Sequence, residues 1–248
     1  FAVFVCMAAE ASARIHAFLV CIVAVCAALL IFLGNYVFLV SNSQYLSSLG
    51  AATATSHLAK PSITSDLAAK IFSDVTAYVK GSQPMLSHSS YFTQEELSHL
   101  ADVRNKVEKS FYLFYLLAAA SSVFAFSMVL RNSMGISIIR RALSAAGILT
   151  VALALFLALV SLSFGSAFVA FHKILFSSSQ WLFPQHYLLV NLFTEEFFAA
   201  FARDVVVGSI IQGIALFIAA VVIGRFYDAN GAGANRKPIS YKPVKVKA

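Results

Sequence analysis

Residues Tyr91–Leu130 read YFTQEELSHLADVRNKVEKSFYLFYLLAAASSVFAFSMVL. Seven of the first 19 residues are acidic or basic, and none of the last 21 is. A charge-free apolar run of ~20 residues has the length of a helix that crosses a bilayer. The charged half also reads as helix. Thr93 followed by Glu96 is a T-x-x-E capping box, which satisfies two free backbone donors at a helix start. Leu97, Leu100, Val103 and Val107 then recur at three- and four-residue steps, as one face of a helix does. Such a helix can run into the apolar half without a break. Glu95, His99, Asp102 and Lys106 share another face of it.

The rest of the chain has the same character. Of 248 residues, 60% are hydrophobic and only 12% charged, with a mean hydropathy of +0.81. A soluble domain carries about 25% charged residues. Three more runs are long enough to span: about 17–40, 142–171 and 205–224, beside 110–130. The third is longer than a bilayer needs, so it is tilted or extends beyond the membrane. None of the four contains Asp, Glu, Lys or Arg. The apolar run at 17–40 reads as a retained anchor. Cys6, Cys21 and Cys26 lack metal spacing and read as small buried hydrophobes.

The net charge of +7 is informative by location. Glu10, Arg14, the 131–141 loop and the 225–248 tail hold ten basic and two acidic residues, against eight and nine on the other side. Basic flanks mark the cytoplasmic side. The expected architecture is therefore an all-α integral protein of the plasma membrane with four transmembrane helices, N-in and C-in. Segment 41–109 forms an extracytoplasmic, mostly helical subdomain, and 172–204 faces the same way. Residues 225–248 form a basic cytoplasmic tail near anionic headgroups. The positive charge is a topology signal and gives no reason to expect nucleic acid.

Two histidines fall on the expected outer side at membrane borders. His99 has Glu95 one turn before it and Asp102 about one turn after it, and a carboxylate beside an imidazole fixes its tautomer. The plain alternative is a wet helix face with an incidental histidine. His172 lies where the third run leaves the bilayer, before the only tryptophan, Trp181, in a phenylalanine-rich stretch. Such stretches form interfacial belts, yet an ionisable group at that depth is a functional candidate. His88 is a rival to His99, while His16, His57 and His186 have no assigned role. Two imidazoles can supply a base and an acid for acyl chemistry. Metal and serine-nucleophile readings lack their motifs, HExxH and G-x-S-x-G. The spans carry no charge or Pro break that would mark a transport pathway.

YFTQEELSHLADVR resembles the pattern aromatic, Ser/Thr, E-x-x-H-x-x-D-V-basic of a family of four-span bacterial membrane proteins. FHKILFSSSQWLFPQHYLLVNLFTEEFF is similar to that family's F-H-x-x-x-F, W-x-F and F-F pattern. The family is that of the lipoprotein intramolecular transacylases. The chain departs from it at Thr194, where Pro is frequent, and at LFPQHY, where His186 stands in place of a polar turn with an acidic residue.

The resemblance implies a lipoprotein substrate whose N-terminal cysteine carries a diacylglyceryl thioether. The sn-2 acyl chain would move to the cysteine α-amine, leaving a lyso-form lipoprotein. It also implies that His99 and His172 are the functional pair, and it implies no metal, nucleotide or other cofactor. On this reading one histidine is the base and the other the acid or oxyanion donor, with Glu95 or Asp102 orienting His99 and Trp181 contacting substrate. A His172 acyl-imidazole is a second route. Acyl chains would lie between the spans. The competing reading is a non-catalytic membrane scaffold or accessory subunit. Oligomeric state is not legible.

Overall fold

The computed structural model describes residues 2–53, 63–130, 133–176 and 181–234. His57 and most of the basic tail lie outside these residues, as do the side chains of His16 and Cys6. The described residues form helices and no strands. In order they are α1 (Ala2–Ser41), α2 (Ser43–Thr53), α3 (Ser65–Val79), α4 (Gln94–Val129), α5 (Ser133–Val160), α6 (Phe164–Leu175), α7 (Leu188–Leu192) and α8 (Glu195–Ala234).

Four stretches are long and apolar enough to cross a membrane: Ala17–Ser41, Gln94–Ser127, Ile138–Leu175 and Glu195–Tyr227. They correspond to the four apolar runs of the sequence. The membrane-facing side is built from large apolar residues. On α4, Tyr112, Leu116, Val123 and Phe126 point outward and are more than 65% exposed. Cys21 is also exposed, and Cys26 is partly covered. Neither is the buried core residue that the sequence suggested, because only one side of α1 packs on the bundle.

Helices α5 and α8 meet through glycine. A Cβ at Gly147 would lie 2.6 Å from the Gly213 carbonyl oxygen and 2.9 Å from the Phe217 nitrogen. Small residues let backbones approach this closely where no hydrophobic effect drives helices together. Helix α1 is clasped to α8 by side-chain amides. Asn35 donates to Ser209 (3.1 Å) and Gln212 (3.2 Å), and Gln212 donates back to Asn35 (3.2 Å).

A cap closes the end of the bundle where α1 stops. Its core gathers Leu46 of α2, Ile71, Phe72 and Val75 of α3, Leu100 of α4, Leu188, Leu189 and Leu192 of α7, and Phe197 of α8. The two connecting segments of the sequence thus share one hydrophobic core. Burial of each such side chain contributes ~1.5–3 kcal/mol. Aromatic pairs reinforce it, with Phe72 stacked on Phe193 at 4.7 Å.

Polar groups fix the turns. Thr64 caps α3, its hydroxyl accepting from Leu67 N (3.3 Å). Gly81, at φ 78°, ends α3 in the left-handed region that favours glycine. Asp74 then gathers the chain that leads to α4. It accepts from the Gln83 side chain, from Ser87 N (3.2 Å) and His88 N (2.8 Å), and from the His88 ring (3.1 Å). Thr194 begins α8, accepting from Phe197 N (3.2 Å) while donating to the Thr53 carbonyl (3.2 Å). Where a proline is frequent in the resemblance, this threonine ties α8 to the end of α2.

Candidate active site

His99 is delivered by α4, which runs unbroken from Gln94 to Val129. The capping box forms as the spacing predicts. The Glu96 carboxylate accepts from Thr93 N (2.7 Å), and the Thr93 hydroxyl accepts from Glu96 N (3.3 Å). His99 lies one turn further on and is 9% exposed. Its ring sits 4.9 Å from Phe176 and 5.4 Å from Phe183. Among the described residues no hydrogen bond to the ring is formed.

His172 is delivered differently. The third apolar run is two helices, not one: α5 ends at Val160, Ser161–Ser163 form a 3-10 turn, and α6 begins at Phe164. Ser163 departs from helical geometry, with φ −117° and ψ 60°. The break re-aims α6, which carries His172 in its last turn. This accounts for a run longer than one straight crossing needs. The His172 ring donates from Nδ1 to the Phe168 carbonyl oxygen at 2.8 Å. A carbonyl oxygen can only accept, so Nδ1 carries the proton. In the neutral ring, the lone pair then sits on Nε2.

The two imidazoles face each other. Their centroids are 6.4 Å apart and their planes 24° from parallel. The pair stands in an aromatic box. Trp181 lies 4.9 Å from His172, Phe168 4.0 Å and Phe176 5.6 Å. Trp181 and His172 are buried, at 9% and 8% exposure.

The supporting carboxylates are arranged differently from the pattern on the helical face. Glu95 accepts from the Tyr187 hydroxyl (2.9 Å), across to the segment before α7, and makes no hydrogen bond to His99. Asp102 is exposed and makes none either. The buried carboxylate is Glu96, at 1% exposure. Besides Thr93 it receives the backbone N–H of Leu189 (2.9 Å). One side chain thus starts α4 and pins α7, fixing the floor beneath His99 to the segment that carries Trp181. The capping box pointed to Glu96, but nothing in the sequence pointed to Leu189 as its second partner.

His88 is held in the Asp74 turn, with its ring 6.3 Å from Tyr91. His186 is exposed and rests against Tyr187 at 5.0 Å. Neither ring contacts His99 or His172. Among the described residues no three His, Cys, Asp or Glu side chains converge as a metal site.

Fold and site together define a class: an all-helical, multi-pass membrane protein whose cap encloses two facing imidazoles. Comparison with known proteins makes this specific. The family profile described as "Lipoprotein intramolecular transacylase Lit" matches residues 15–198. The chain belongs to that family and so to the acyltransferases. Among solved structures it resembles the membrane-integral lipoprotein intramolecular transacylase Lit of Bacillus cereus, with a TM-score of 0.70 at 18% identity over 88% of this chain and 99% of that one. A structure of the same bacterial protein with a histidine-to-arginine mutation matches with TM-score 0.63 at 16% identity, over 90% and 98% of the two chains. One with a histidine-to-alanine mutation gives 0.66 at 17%, over 89% and 98%. A search of curated proteins gives no match.

Proposed function

We propose that this chain moves the sn-2 acyl chain of a diacylglyceryl-cysteine lipoprotein to the α-amine of that cysteine, yielding the lyso-form. The observation that carries the reading is the approach of His99 and His172 to 6.4 Å, although 73 positions separate them in the chain. Charge asymmetry supports an outer-leaflet location. The cap end holds nearly balanced charge, while the other end carries the basic excess that marks a cytoplasmic side.

The tautomer of His172 supports a division of roles. Its Nε2 lone pair is the base that takes a proton from the attacking amine. The new N–C bond forms at the sn-2 carbonyl, whose oxygen gains charge. No described residue holds the His99 ring by a hydrogen bond, and it donates an N–H to that oxygen. The intermediate collapses by breaking the bond to the glyceryl oxygen, which takes the proton from His172. The products are an amide and a free hydroxyl, with both histidines restored. Donor and acceptor sit on one lipid, so positioning supplies much of the rate. Glu95, Asp102 and Trp181 act around the pair: Glu95 through Tyr187, Asp102 as a nearby charge, and Trp181 as the wall against His172. Phe176 and Phe183 cover the rings, so lipid access requires these side chains to move.

The test is mass spectrometry of lipoprotein N-termini in cells making each variant. His99→Ala and His172→Ala accumulate in the membrane but form no N-acylated, mono-acylglyceryl cysteine, whereas His88→Ala forms it normally. Full activity in both of the first two variants overturns the dyad.

A further inference from the structure

At the end of the bundle opposite the cap, α5 and α8 part to form an open groove of about 570 Å³. This lies within the ~300–1,000 Å³ of small-molecule sites. Arg140, Arg141 and Arg225 line it, and among the described residues no acidic side chain does. Its floor is apolar: Ile148, Phe217 and Val221 are each more than 40% exposed toward the hydrocarbon region. The groove is remote from the histidines. The 19 positions from Arg141 to Val160 along α5 alone amount to roughly 29 Å of helical rise, close to the ~30 Å of a hydrocarbon core, before α6 carries the chain on to His172.

The groove is shaped around its cations. A Cβ at Gly224 would lie 2.8 Å from Nη1 of Arg140. Only glycine lets that guanidinium lie against α8 without shifting. Arg141, one position further along α5, and Arg225, next to Gly224 on α8, are both exposed. Guanidinium groups match phosphate oxygens with paired donors. Basic pockets between spanning helices, opening onto apolar walls, suit anionic lipid headgroups.

We propose that this groove binds one anionic phospholipid, its phosphate held by Arg141 and Arg225 with Arg140 behind them, and its acyl chain laid along Ile148, Phe217 and Val221. The site is separate from the acyl-transfer site and does not depend on the function proposed for it. The charge complementarity and apolar floor together select a phospholipid over a soluble phosphate.

The test is native mass spectrometry of the full chain released from phosphatidylcholine nanodiscs doped with phosphatidylglycerol. The wild type retains one phosphatidylglycerol in preference to phosphatidylcholine. Arg141→Gln with Arg225→Gln weakens that retention tenfold or more, as loss of two interfacial cations implies. Gly224→Val, which leaves both of those arginines in place, weakens it to a smaller degree by displacing Arg140. Equal retention of the two lipids by the wild type overturns the proposal, as does unchanged retention by the double variant. Competition by soluble glycerol 3-phosphate as strong as by the lipid overturns the part assigned to the apolar floor.

Discussion

The two halves of the site are built in opposite ways. His99 rides on α4, a continuous 36-residue helix, and its ring is packed by Phe176 and Phe183 but held by no hydrogen bond from the described residues. His172 rides on α6, a 12-residue helix set off from α5 by a 3-10 turn, and its ring is tied to the Phe168 carbonyl. A rigid mount carries the ring that the described residues hold by packing alone, and a re-aimed mount carries the ring with a fixed tautomer. The difference matches a division of labour: a base needs its lone pair in one place, whereas a donor to a developing oxyanion needs its N–H unspent on the protein.

The largest expected effect follows from that division. Glutamine can donate an N–H but cannot act as a base. His172→Gln therefore loses ~10³–10⁴-fold in transfer rate. His99→Gln keeps a donor and loses only about 10–100-fold. Rates of lyso-lipoprotein formation in purified membranes distinguish the two. The opposite order exchanges the roles of the histidines.

An intermediate effect is expected at Glu96, which ties α4 to α7. Glu96→Ala leaves the buried N–H of Leu189 without its partner, at a cost of about 1–3 kcal/mol. The melting temperature in detergent falls, and the segment bearing Trp181 loosens, so activity falls more than the stability loss alone explains. If both quantities stay at wild-type values, the link between α4 and α7 is not what holds the site.

The smallest effect concerns the Asp74 turn, which lies beside the site without entering it. Burial alone would raise the Asp74 carboxyl, but donors from Gln83, His88 and Ser87 outweigh burial and hold it below the usual carboxylate range. A depressed folded-state value means stability that is fully present above the unfolded value of ~3.9 and lost as pH falls through the folded one. Thermal unfolding followed from pH 6 down to pH 3 declines less steeply in Asp74→Asn than in the wild type. Parallel curves remove the carboxylate from the account of the cap.

Much of this was legible in the chain. The four apolar runs follow from length and charge alone, because the hydrocarbon core excludes unpaired charge. The start of α4 follows from Thr93 and Glu96, since a capping box is a contact between near neighbours. The two histidines stood out as ionisable groups at the ends of apolar runs. The break at Ser161–Ser163 was visible only as excess length in the third run, because two serines and a leucine carry no strong stop signal. Helix spacing places Glu95 on the face of His99 without fixing its partner. A shared helical face permits a contact with His99, but Tyr187 from another segment took the carboxylate first.

The sequence by itself determined what is local: which segments are helical and apolar, where α4 begins, and which side of the bundle carries the basic excess. Tertiary structure alone decided that His99 and His172 stand 6.4 Å apart and that Glu96 pins α7. The physical reason is range. Helix periodicity and capping act over about four residues, whereas these contacts join segments dozens of positions apart and depend on how the cap core and the glycine contacts set the helices against one another.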